Sequence, residues 1–157
     1  MDRIIGIVVE LKTSGKESWA GTTDHVYLGV VSAVGGREFV LARGAMDKLK
    51  NDTTIRFAFG LGTEDFGGHE PDNATASLLD MKIDRASVSQ VYIRKQGDRT
   101  HGGDNAWRLT SASVILIVSP TEKHRIYKTT GPATFANDYG LQIWLAEVDD
   151  NDAFVGE

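Results

Sequence analysis

The sequence predicts an all-β fold, an antiparallel β-sandwich of two roughly four-stranded sheets with a C-terminal hairpin extension, and three observations lead there. About eight short runs rich in Val, Ile, Thr and aromatic residues alternate apolar with polar side chains. Clusters of Gly, Asp, Asn and Ser separate these runs at the spacing of turns. Hardly any stretch carries the 3.6-residue apolar period of a helix.

The chain is organised around residues 104–118, an acidic turn, then Trp107, then a run dominated by Val, Ile, Thr and Ser. These β-branched residues favour a strand. Trp107 and Leu109 share one face, whereas Val114, Leu116 and Val118 join it only if the register slips by one residue. A bulge is therefore expected near Ser111–Ala112. Beyond it Ile115 and Ile117 make the second face apolar too, so that end should be covered on both sides. Trp107 reads as the core anchor.

Taken in order, Ile5, Ile7, Val9 and Leu11 predict a first strand over about residues 3–13. A Gly-containing loop with Lys16 and Trp19 leads to a second strand in which Val26, Leu28 and Val30 face inward. The Gly35–Gly36 pair predicts a tight hairpin into residues 38–41, because glycine enters positive φ without steric cost. After a polar, helix-compatible piece (44–52), Ile55, Phe57, Phe59 and Leu61 mark a one-sided strand. An acidic, Gly-rich loop with a short helix near 74–79 follows, then a strand at 88–94 and a polar loop at 96–104. Past Pro120, residues 125–130 and 141–146 read as a further hairpin, in which Trp144 packs.

With 157 residues the chain suits one domain. The net charge of −5 disfavours nucleic acid as a partner. The absence of Cys excludes disulfides, thiolate nucleophiles and Cys-based zinc sites. No run approaches the length of a spanning helix and the N-terminus lacks the form of a signal peptide, so a soluble, not membrane-spanning, protein is expected. No Gly-x-Ser-x-Gly elbow, P-loop or paired-His motif supports catalysis.

Four segments occur in a telling succession: Ala20 to Leu28 with Gly-Thr-x-x-x-Val-Tyr, Gly36-Arg37-Glu38-Phe39, Val91-Tyr92-Ile93-Arg94, and Asp104 to Leu109 with Ala-Trp-x-Leu. This succession resembles the PLAT/LH2 family, the lipoxygenase-homology β-sandwich, over about residues 3–118. The resemblance implies a PLAT/LH2-like sandwich at 1–118, with 119–157 as a hairpin extension packed on the same domain. It also implies a non-catalytic binding module that contacts a lipid surface or a partner protein, in several members with calcium held by loops at one end. The pattern departs from the family at Thr23, Ala42 and Lys50–Asn51, where carboxylates are lost.

Calcium needs six to eight oxygen ligands in one place. The candidate donors are the Gly21 carbonyl and the carboxylates of Asp24, Asp47, Asp98 and Asp104, set against the alternative that these are solvated turn residues. Trp19, with Lys16 as basic companion, is the candidate ligand-binding pair, since an indole in a loop can enter a lipid interface or fold back over the sheet edge. A second reading is a carbohydrate-binding module using Tyr27, Tyr92 or Trp144. A third is a small hydrolase or cupin-like enzyme centred on His101.

Overall fold

The computed structural model describes residues 3–22, 24–42, 49–68, 83–96, 106–119, 121, 124–136 and 140–148. Nine strands make the described residues all-β: β1 (Gly6–Thr13), β2 (Val26–Ser32), β3 (Gly35–Ala42), β4 (Thr54–Gly60), β5 (Val88–Lys95), β6 (Trp107–Ile117), β7 (Arg125–Lys128), β8 (Ala133–Phe135) and β9 (Gln142–Val148). All pairings are antiparallel, and they form one path, β3-β2-β5-β9-β7-β6-β1-β4, with β8 on β6. The short helix expected near 74–79 lies outside the described residues.

The path curls until its two edge strands meet. Phe39 of β3 and Phe59 of β4 lie with ring centroids 5.1 Å apart, so the sheet is nearly closed around one interior. Closure is made possible by β9, whose residues 142–145 pair with β5 while 146–148 pair with β7. The segment after residue 118 thus contributes two interior strands to the hydrogen-bonded path.

Period-2 alternation sorts the side chains. Ile7, Val9 and Leu11, with Val26, Leu28 and Val30, Phe39, Phe57, Val91 and Ile93, are buried in one cluster. Within β6 Lys12 faces Ser111 but Thr13 faces Leu109, which makes Thr110 the extra residue. The bulge expected near Ser111–Ala112 sits one place earlier, and it has the expected effect: Trp107 and Leu109 face the same interior as Ala112, Val114 and Leu116. The second face is covered as well, since Val8, Ile115, Ile117 and Ile126 form a smaller buried cluster. Its cover includes Phe66 from the loop after β4. The C-terminal hairpin does not lie over this face: β7 pairs beside β6 and widens it.

Two local expectations are corrected. The hairpin turn is Ala33–Val34, and Gly35, at φ 148°, opens the returning strand. Ser32 pairs with Gly35, which leaves only two residues for the loop. Leu61 does not continue the inward series. Gly60 takes φ 87°, ends β4 and turns Leu61 outward.

Trp107 is wholly buried, and its Nε1 donates to Thr13 Oγ1 at 2.9 Å while its ring stacks on Phe135 at 4.9 Å. One side chain thereby joins β1, β6 and β8. Thr13→Val keeps the volume but leaves the indole N–H unsatisfied, and we expect a loss of about 1–3 kcal/mol in urea melts. Trp107→Ala opens a cavity and should cost about 3–5 kcal/mol.

Candidate functional site

The ends of β1, β3 and β5 and the starts of β2, β4 and β6 converge on one rim, because all pair antiparallel in near-full register. The loop 14–25 dominates its described part. Asn51 from the β3–β4 connection clips that loop: its Nδ2 donates to the carbonyls of Glu17 (3.0 Å) and Ser18 (2.7 Å), and its Oδ1 accepts from the Gly21 amide at 2.5 Å. Thr22 N–H donates to the Leu49 carbonyl, and Arg108 N–H to that of Ala20. The backbones approach so closely at Gly21 that a Cβ there would stand 2.8 Å from the Leu49 oxygen.

On this pinned loop Trp19 is 51% exposed, and Lys16 is exposed beside it in sequence. The candidate pair therefore shares one loop, held from below by an amide side chain. In the sequence Asn51 counted as one half of Lys50–Asn51, the pair that replaces an acidic-Gly pair of the family, and not as a clip. Its role as a clip carries a faint signal, an Asn in a turn with a Gly-bounded loop due to lie opposite.

Asp24 has a different setting. Its Oδ2 accepts from Lys95 Nζ at 2.8 Å, with the lysine side chain wholly buried and the aspartate 10% exposed. A carboxylate in so little water requires a cation, and the chain supplies one. Gly21 and Asp24 lie on the same rim loop. Asp47, Asp98, Asp104 and His101 lie outside the described residues. No group of three or more His, Asp or Glu among the described residues could hold a metal ion.

A second constellation occupies the outer face of β3, β2, β5 and β9. Glu38, Gly29, Tyr92 and Trp144 are successive cross-strand partners, and Tyr27, Arg94 and Gln142 follow in the next row. Arg94 grips Glu38 with Nε and Nη2 at 2.7 and 2.8 Å, and its guanidinium lies 4.0 Å from the centre of the Tyr27 ring. Tyr92 donates its hydroxyl to Glu38 at 2.6 Å, and its phenol end fills the space a side chain at Gly29 would need. Trp144 does not pack into the C-terminal hairpin as expected. It is 55% exposed, because its neighbours Ile143 and Leu145 face the core, and Tyr92 meets it edge to face at 5.5 Å and 90°.

The electrostatics follow these contacts. The hydrogen bond from Arg94 holds the Glu38 carboxyl below its ordinary value against the effect of partial burial. Burial first, and the bond to Glu38 second, push the Tyr92 phenol up to about 12.

No family model and no curated protein matches this sequence. Solved structures share the fold. A LOX in complex with arachidonate aligns over 91% of this chain and 16% of its own, with a TM-score of 0.56 and 13% identity. The alpha-toxin of Clostridium absonum aligns over 85% of this chain and 31% of its own, with a TM-score of 0.52 and 16% identity. Coral 8R-lipoxygenase, described as activated by calcium via a C2-like domain, aligns over 90% of this chain and 17% of its own, at 0.52 and 12%. The chain thus spans less than a third of the length of each of these neighbours.

Removing one partner of the Lys95–Asp24 pair strands the other, so Lys95→Met should cost about 3–5 kcal/mol in denaturant melts, part of which Asp24→Asn in the same chain restores. For Tyr92 the folded protein keeps the proton that the unfolded chain releases near 10. Its contribution is complete below that pH and lost as the pH rises from 10 toward 12. Of the four tyrosines, Tyr127 is also raised to about 12 by burial. Ultraviolet titration should show a late-ionising class that loses one member in Tyr92→Phe.

Proposed function

We propose that this chain is a non-catalytic binding module that docks its rim onto a lipid surface through Trp19, with Lys16 alongside. The path then reads as two facing four-stranded layers, β3-β2-β5-β9 and β7-β6-β1-β4, in the manner of PLAT/LH2 domains, with β9 as their shared hinge. One observation carries the proposal: a half-exposed indole stands on a loop whose backbone is fixed by Asn51, Leu49 and Arg108. A preorganised aromatic loses little conformational freedom on insertion, and an indole suits the boundary between headgroup and acyl chain. The lipoxygenase and alpha-toxin neighbours support the reading through their fold.

Calcium is not required in this reading. Of the donors expected from the resemblance, the described carboxylate, that of Asp24, already has the Lys95 ammonium as its counter-charge. Calcium dependence would rest on Asp47, Asp98 and Asp104.

The test is flotation on phosphatidylcholine–phosphatidylserine vesicles. Half of the roughly 150–250 Å² that an aromatic side chain can bury, at about 25 cal/mol per Å², is about 2–3 kcal/mol. Trp19→Ala should therefore lower partitioning more than tenfold, and binding should be equal in chelator and in millimolar calcium. Vesicles that bind the Trp19→Ala variant as well as the parent would refute lipid docking by this rim. Collapse of binding in chelator would refute its metal-free form. Failure of the parent chain to float would leave contact with a partner protein as the rim's role.

A further inference from the structure

The outer face of β5 and β9 borders the rim at Tyr27 and Arg94 and carries chemistry that lipid docking does not use. Tyr92 lies over Gly29 as a floor, and Trp144 stands at 90° to it as a wall. Glu38 and Arg94 close the far side of the floor, each about a third exposed. The geometry points to a binding site for a pyranose ring of a neutral oligosaccharide, held in the corner between Tyr92 and Trp144, with its hydroxyls on Glu38 and Arg94.

Three features favour that occupant. A pyranose has an apolar C–H face and a hydroxyl rim, and the corner offers an apolar surface bordered by polar groups in the same order. Trp144 lies in the half of β9 that pairs with β5, directly opposite Tyr92, so the strand register fixes its place beside that ring. A half-exposed indole at that position is held in place by the sheet itself.

The third feature is charge. Glu38 and Arg94 compensate each other through two hydrogen bonds, so the floor presents no net charge to a ligand. A phosphate headgroup or an acidic peptide would have to compete with Glu38 for the guanidinium. A hydroxyl does not compete: it donates to a remaining lone pair of the carboxylate while accepting from a remaining N–H of the arginine. The lock from Tyr92 to Glu38 fixes the acceptor at the floor's edge, which limits the ordering that binding would otherwise require. An acyl chain is poorly suited here, since its insertion would strip water from the same ion pair.

The experiment titrates the whole chain with neutral hexasaccharides, namely cello-, xylo-, manno-, laminari- and maltohexaose, and follows the heat of binding by titration calorimetry. At least one should give a saturable change. Trp144→Ala should weaken that binding by roughly tenfold or more, since a stacked aromatic contributes on the order of 1 kcal/mol beyond its buried area. Glu38→Gln should weaken it with the fold intact by thermal melt, and Val34→Ser, in the β2–β3 turn, should leave it unchanged. No saturable change with any of the five sugars overturns the proposal, as does equal binding by Trp144→Ala. Loss of vesicle flotation in Trp144→Ala without sugar binding by the parent overturns it too, because the face would then be a lipid contact. Trp19→Ala flotation is read separately, so failure of either site is distinguishable from failure of the other.

Discussion

Everything in this molecule depends on one strand changing partners. A backbone group taken out of water needs a hydrogen bond, and β9 meets that need twice, with β5 over its first half and with β7 over its second. Without that switch β3-β2-β5 and β7-β6-β1-β4 would each present a long unpaired edge. With it they share one interior, and Phe39 and Phe59 seal the remaining gap with side chains. The switch also aims side chains. Leu145 points into the core beside Val91, which sends Trp144 to the outside.

The rim shows how rigidity can arise in irregular chain. The residues between β1 and β2 have few backbone partners of their own, yet they are tied to the β3–β4 connection and to β6 by amides, carbonyls and one asparagine. Trp107 anchors the same region from inside, since its indole reaches Thr13, the residue from which the loop departs. Thus the core and the exposed indole of Trp19 are connected through the five residues of clipped chain between Thr13 and Trp19. Asp24 extends the principle to charge, because Lys95 brings an ammonium to the base of the rim from the end of β5.

Much of the fold was legible because alternation is a local signal. The inward series of β1, β2 and β4, the anchor at Trp107 and the bulge in β6 follow from side chains two apart. What alternation cannot show is which strands become neighbours. The C-terminal residues were readable as an antiparallel pair, but their place inside the path depends on β9 exchanging partners, a long-range event without a sequence mark. The same limit hid the outer-face network. Glu38 and Arg94 lie 56 positions apart, and only the β3-β2-β5 register brings them within 2.7 Å. Asn51 was misjudged for a related reason: its value lies in three bonds to a loop thirty or more residues away. The turn at Ala33–Val34 erred by the smallest margin, since two glycines can either make a hairpin turn or follow it.

The two exposed tryptophans illustrate why exposure alone does not define a role. Trp19 is presented by a loop at the end of the sheet, where a deformable surface could envelop it. Trp144 stands on a rigid sheet with a perpendicular ring beside it and a compensated ion pair beyond. A soft, extended partner suits the first and a small, shape-matched one suits the second, because the second has walls fixed on more than one side. The argument turns on Gly29. With any larger residue there, Tyr92 would have to leave the sheet surface, and the corner, the lock on Glu38 and the edge contact to Trp144 would be lost together.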